Sequence, residues 1–170
     1  MLIKPKTEEY PEYYQFYIES LPDTEILKYL QNQTSEVVSL YKNFNEEKMI
    51  YKYEEGKWSV KELLGHLLDS EIIMGYRALT YARKDKANLS MYDHDNYVNT
   101  GCFHKIESEL FIKHYSLVRE SNLLLFRSFS EIDWLEEGNT GGKTFTTRTI
   151  PFILAGHTKH HLKVLKERYL

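Results

Sequence analysis

Two histidines four residues apart, His157 and His161 in the stretch AGHTKHHLKV (residues 155–164), are the side chains of this protein best spaced for metal chemistry. Four residues is about one helical turn, so both rings project from one face and can aim a nitrogen at one point. Ile150, Leu154 and Leu165 share that stripe, so the imidazoles interrupt an apolar seam. His66, between Leu63 and Leu67 in another amphipathic segment, is expected to face inward as well. Three imidazoles leave one position of a tetrahedral ion open to water or substrate, as in catalytic rather than structural zinc sites. The spacing equally suits core histidines with satisfied hydrogen bonds, and pattern alone does not separate the two readings. Nor does the donor set choose an ion, because imidazole accepts zinc, nickel, copper and iron alike.

Other polar residues could assist. Asp69, three after His66, could orient an imidazole N–H. Glu71 and Arg77 read as a polar network within or beside the core, and Arg119 could join it or bind a substrate carboxylate. For each of these a structural role is the simpler reading. His160 could replace His161 as a ligand, but a surface role is expected for it. His114 is expected to face inward as a packing residue, with His94 and His104 solvated. Asp93 and Asp95 suit a turn. Cys102 has no partner at helical spacing that would activate it, and reads as a small buried residue. GNTGGKT (residues 138–144) imitates a phosphate loop, but only three residues separate Gly138 from Gly142 where four are required. It reads as a flexible connection.

Four long helices must position these residues. Apolar spacing predicts the first over about 23–48, with Asp23 as N-cap. Ser59 and Glu62 predict a capping box at the start of the second, which runs to about 83. The third is expected over about 106–132, with Leu110, His114, Leu117, Ser121 and Leu124 on one face and Phe111, Val118, Leu125 and Phe129 beside it. The fourth begins near 147 and tolerates Pro151 in its first turn. Residues 85–105 form a long structured crossover, and residues 1–22 an aromatic arm with a short helix near 11–19. No β-like alternation is visible. The reading is an all-α four-helix bundle forming a single domain over residues 1–170.

Composition narrows the function classes. The chain has 170 residues, 42% hydrophobic, with a formal charge of −3 and no basic run, which argues against a nucleic-acid partner. No stretch reaches the roughly 18 apolar residues of a membrane span. The first residues lack a signal-peptide core, and a lone cysteine suits a reducing compartment, so a cytoplasmic location is expected. Mixed apolar and charged faces on the third and fourth helices, with the hydrophobic arm, suggest self-association.

EGKWSVKELLGHLLDSEIIMGYRALTYARKD, YDHDNYV and TIPFILAGHTKHHLKVLKERYL together resemble the DinB/YfiT-like family. The likeness covers nearly the whole chain, and its most specific parts are W-S-x-x-E-x-x-x-H-x-x-D-x-E and G-H-x-x-H-H-L. It implies a bundle in up-down-down-up order, usually homodimeric. It also implies a divalent ion, commonly zinc or nickel, held by one histidine of the second helix and two of the fourth. By position these are His66, His157 and His161, and the segment of Asp93 and Asp95 falls near the mouth of that site. Relatives include transferases that join low-molecular-weight thiols such as bacillithiol or mycothiol to small electrophiles, and a mycothiol-dependent isomerase. The resemblance thus implies a metal-dependent S-transferase, with a metal-dependent hydrolase or a non-enzymatic dimeric metal-binding stress-response protein as alternatives.

Overall fold

The predicted capping box is formed. Ser59 Oγ accepts from the Glu62 N–H at 3.2 Å, and the Glu62 carboxylate accepts from the Ser59 N–H at 2.6 Å. The computed structural model describes residues 2–170. In chain order these form α1 (Gln15–Glu19), α2 (Ile26–Lys42), α3 (Glu46–Ile50), α4 (Val60–Ala82), β1 (Asn88–Leu89), α5 (His94–Thr100), α6 (Ser108–Arg127), α7 (Glu131–Leu135), β2 (Glu137–Thr140), β3 (Lys143–Thr146) and α8 (Thr149–Arg168). The four long helices α2, α4, α6 and α8 make the bundle. Among the described residues no helix is long and apolar enough to cross a membrane.

Local chemistry moved some expected ends. Glu25, not Asp23, caps α2, its carboxylate accepting from the N–H groups of Leu27 and Lys28. The expected first helix stops at Lys42, and Asn45 then caps the separate α3. The expected third helix stops at Arg127, because Ser130 and Asp133 form a new capping box that starts α7.

Helix directions follow from contacts. Lys61 reaches Ile106 near the starts of α4 and α6, and Glu71 pairs with Arg119 halfway along both, so these neighbours run parallel. Arg127 at the end of α6 bonds Gln31 near the start of α2, while Lys42 shares a groove with Leu110, so α2 opposes α6. Tyr169, just past α8, donates to the Trp58 carbonyl ahead of α4, so α8 opposes α4. The order is up-down-down-up. Parallel neighbours force the long return through residues 83–107, which carries β1 and α5 past the bundle.

Two expectations are overturned. The Gly/Thr segment is ordered: β2 and β3 pair antiparallel across Gly141–Gly142, both at positive φ (59° and 74°), as a tight two-residue hairpin turn requires. β1 adds in parallel to β2, giving a three-stranded sheet beside the bundle. Gly138 of β2 lies so close to the Tyr81 ring that a Cβ there would stand 1.7 Å from it. The face assigned to α6 is also reversed. Leu110, Leu117 and Leu124 are 60%, 53% and 61% exposed, and His114 is exposed with them. The buried face is instead Phe111, Ile112, Tyr115, Arg119, Asn122 and Phe126. Its two polar members disguise it in the sequence, and they are buried because they have partners.

Those partners form the centre of the bundle. Arg119 donates to Glu71 at 2.6 Å and Thr158 at 3.1 Å, and to the Leu30 carbonyl and Gln33 at 3.3 Å. Asn122 donates to the Glu71 carboxylate at 3.0 Å, and Gln33 to the Ala155 carbonyl at 3.0 Å. One network therefore touches all four long helices. Burial opposes the charge of Arg119, and the Glu71 carboxylate more than offsets it. A buried, hydrogen-bonded pair of this kind fixes which side chains meet, and so sets the register of α4 against α8.

Candidate metal centre

That register brings His66 opposite His157 and His161. The Nε2 atoms of His66 and His157 lie 2.8 Å apart, and those of His161 and His157 3.0 Å apart. Among the described residues this is the one group of three or more His, Cys, Asp or Glu side chains whose ligand atoms converge, all within 4.8 Å of one another. Zinc with Zn–N bonds of about 2.0–2.1 Å in tetrahedral geometry sets its nitrogens roughly 3.4 Å apart. Small ring rotations that open the two short separations by about half an ångström would reach that spacing. All three donors lie within 4.8 Å of one another, so their kind and placement suit a small divalent ion.

The electrostatics suit a cation. Burial, aided by the neighbouring His94, pushes the His66 pKa down to about 4. Burial and repulsion from His66, His160 and His94 push His161 to about 2. Burial and the same crowding, now including His161, hold His157 well below the ordinary histidine value. All three are therefore neutral at pH 7, with lone pairs free for a metal.

The imidazoles open onto a cavity of about 450 Å³ between α4 and α8. Its walls are largely aromatic. The Trp58 ring lies 4.8 Å from His66, and Tyr17 meets His157 edge-on at 5.5 Å. Tyr13 and Tyr14 of the arm and Tyr92 of the crossover close the far side, where Tyr92 and Ser70 share a hydrogen bond at 2.9 Å. The arm reaches this position because Gly156 precedes His157: a Cβ there would stand 2.2 Å from the Tyr17 carbonyl oxygen. Glu9 anchors the arm from outside through Arg148 and Thr146. Burial raises the Glu9 carboxyl, but the bonds from Arg148, the Lys6 N–H and Thr146 win and bring it down to about 2.

The other expected site residues divide. Glu71 and Arg119 belong to the central network, and Arg77 lies outside it. Asp69 hydrogen-bonds no imidazole among the described residues. Its position three after His66 turns it toward α6, where burial raises its pKa and nearby His114 opposes the rise. His160 is half-buried against Phe16 and Tyr17, and His104 is exposed. Cys102 is exposed, at a φ of 50°, and is not the buried residue expected. Asp93 caps α5 through the Asn96 N–H and lines the cavity mouth, whereas Asp95 points to solvent. His94 was expected to be merely solvated. It lines the mouth, with its ring 5.7 Å from that of His66. Only the folding of an aperiodic crossover brings it there, so no periodicity could have revealed it.

The sequence model of the DinB superfamily matches residues 29–165. Among solved structures the chain is similar to YfiT from Bacillus subtilis, described as a probable metal-dependent hydrolase with an unusual four-helix bundle topology. The TM-score is 0.72 at 14% identity, over 97% of this chain and 90% of that one. It is also similar to a mycothiol-dependent maleylpyruvate isomerase, at TM-score 0.68 and 15% identity, over 85% of this chain but 61% of the isomerase's length. At these identities the likeness is one of fold. Comparison with curated proteins finds no match.

Proposed function

This chain belongs to the DinB superfamily, and on that premise we propose that it is a metal-dependent enzyme acting on a small molecule as a low-molecular-weight-thiol S-transferase. The observation that carries the proposal is the convergence of the His66, His157 and His161 Nε2 atoms at the wall of an aromatic cavity. These three residues would hold the ion, zinc in the first instance and nickel as the alternative. When bound, such an ion supplies positive charge that lowers the pKa of a thiol or water at its open position. The remaining work falls to the chain itself. Tyr17 and Trp58 keep bulk water from the imidazoles, and the Ser70 and Tyr92 hydroxyls can orient a polar group.

The thiol reading is supported by where the carboxylates lie. Glu71 is locked to Arg119, Asp69 faces α6, and Asp93 is engaged in capping α5. Among the described residues Asp93 is the one carboxylate lining the cavity, and it already holds the Asn96 N–H. A thiol, far more acidic than water to begin with, needs less help from such a base to ionise beside a cation. One observation favours the hydrolase reading: the imidazole of His94 stands at the cavity mouth, its ring 5.7 Å from that of His66. Cobalt-substituted protein titrated with glutathione and bacillithiol tests the choice. A sulfur-to-cobalt charge-transfer band is expected. Its absence, together with ester hydrolysis that His94→Ala abolishes, would establish the hydrolase instead.

The proposal includes a homodimer in a reducing, cytoplasmic setting. It is supported by the exposed leucines at 110, 117 and 124 on α6, which repeat every seven residues, and by exposed Ile72 and Tyr76 on the neighbouring α4.

A further inference from the structure

Arg77 is 2% exposed, yet no carboxylate of the described residues pairs with it. The contrast within the molecule is direct. Buried Arg119 has Glu71, and half-buried Arg148 has Glu9. A guanidinium remains protonated, and burying one without an opposite charge is costly. Arg77 has only neutral partners: Nη2 donates to the Ser90 carbonyl at 3.1 Å, Nη1 to the Met74 thioether at 3.8 Å, the Tyr14 hydroxyl lies within hydrogen-bond reach, and the Tyr92 ring centroid is 5.9 Å away.

Three of those partners, Tyr14, Met74 and Tyr92, are also walls of the cavity that opens at His66. The guanidinium therefore sits directly behind the cavity floor. The weakest of its bonds is the one to Met74, since a thioether is a poor acceptor on a flexible side chain. Rotation of Met74 would expose Nη1 to the cavity and free a donor for a stronger acceptor. Arg77 is three residues beyond Met74, and Met74 is eight residues, about 12 Å, beyond His66 along α4. The cavity thus has the imidazoles at one end and an uncompensated positive charge at the other. It is lined by no Lys or Arg, so a single guanidinium matches a monoanion better than a phosphate dianion.

We propose that the cavity binds an elongated small molecule carrying a carboxylate at the end remote from the histidines, and that this carboxylate displaces Met74 to pair with Arg77. The inference rests on the metal-site reading for the opposite end of the ligand. It makes Arg77 a specificity-determining residue, one that selects acidic substrates over neutral analogues of equal length.

The probes are 6-mercaptohexanoate and 6-mercaptohexanol, titrated calorimetrically into the full chain, zinc-loaded and metal-free. The acid should bind about tenfold or more tightly than the alcohol in both forms, as expected for a charge-assisted pair. Arg77→Met should bring the ratio near one by weakening the acid alone. Arg77→Lys, which keeps the charge, should retain part of the preference. A wild-type ratio near one, a ratio unchanged in Arg77→Met, or no binding of either probe would overturn the inference. Failure of the metal-site reading looks different: zinc would leave the affinity of both thiols unchanged while the acid-to-alcohol ratio survived. Should Arg77→Met fail to fold, the wild-type ratio still decides the matter.

Discussion

An imidazole binds a cation through a nitrogen lone pair, so protons and metal compete for the same atom. With the ordinary pKa of about 6.5, that competition would begin just below neutrality. Here burial and mutual repulsion lower His66 to about 4 and His161 to about 2, so zinc affinity should stay level from pH 8 to about 6 and fall only in more acidic solution. Chelator competition across that range measures it. The same shifts affect stability without metal, with a definite sign. Unfolded imidazoles take up protons below about 6.5 while the folded ones refuse them, so stability is intact above that value and declines as pH falls. At pH 5.5 the loss should be about 1 kcal/mol for each imidazole that stays neutral, read by denaturant unfolding of metal-free protein, and His66→Leu should reduce it. His157 and His161 were legible in the sequence because helical spacing places them together. Spacing alone marked His66 only as an inward residue, since which helices face each other is a tertiary property; the family resemblance was what joined it to the other two. Asp69, offered as a possible partner for an imidazole N–H, meets none among the described residues and lies near His114 of α6.

Among the elements, the best test is the contact between α1 and α8. Gly156 lets the two backbones approach, and the approach places Tyr17 over His157. Gly156→Ala adds helix propensity but also a methyl group where a carbonyl stands, and the clash should prevail by about 1–3 kcal/mol. Limited proteolysis should then cut within residues 1–22 much faster than in wild type, while zinc still binds. A stabilised, resistant variant would mean that the arm does not pack this way. The Glu71–Arg119 pair makes a second test: Glu71→Gln strands a buried guanidinium and should cost about 3–5 kcal/mol in unfolding experiments, more than any single histidine replacement. The long helices were readable from their period and caps. The hairpin was not, because its strands EGNT and KTFT have little apolar alternation and only the Gly-Gly turn signals it. The face of α6 was misread for a related reason. Two apolar stripes lie side by side on that helix, and the buried one contains Arg119 and Asn122, whose partners belong to other helices.

For the molecule as a whole, the exposed leucine repeat on α6 predicts self-association. Light scattering at micromolar concentration should give twice the 20.3 kDa chain mass, and Leu117→Lys should return the monomer with its fold intact. A wild-type mass of one chain would remove the dimer from the proposal. The metal site is also a property of the whole chain, since His66 and His157 are 91 residues apart and meet only when α4 and α8 pack. The fold has its own core and central network and should survive loss of the ion, so loss of metal and loss of structure can be measured separately. The most direct measurement is therefore zinc stoichiometry, by elemental analysis of protein purified without a nickel column, for wild type and single alanine replacements with circular dichroism as the control. Wild type should hold one zinc per chain. His66→Ala, His157→Ala and His161→Ala should each fall far below one equivalent while remaining helical, and His94→Ala and His160→Ala should stay at one. Full occupancy in any folded variant of the three would contradict the account.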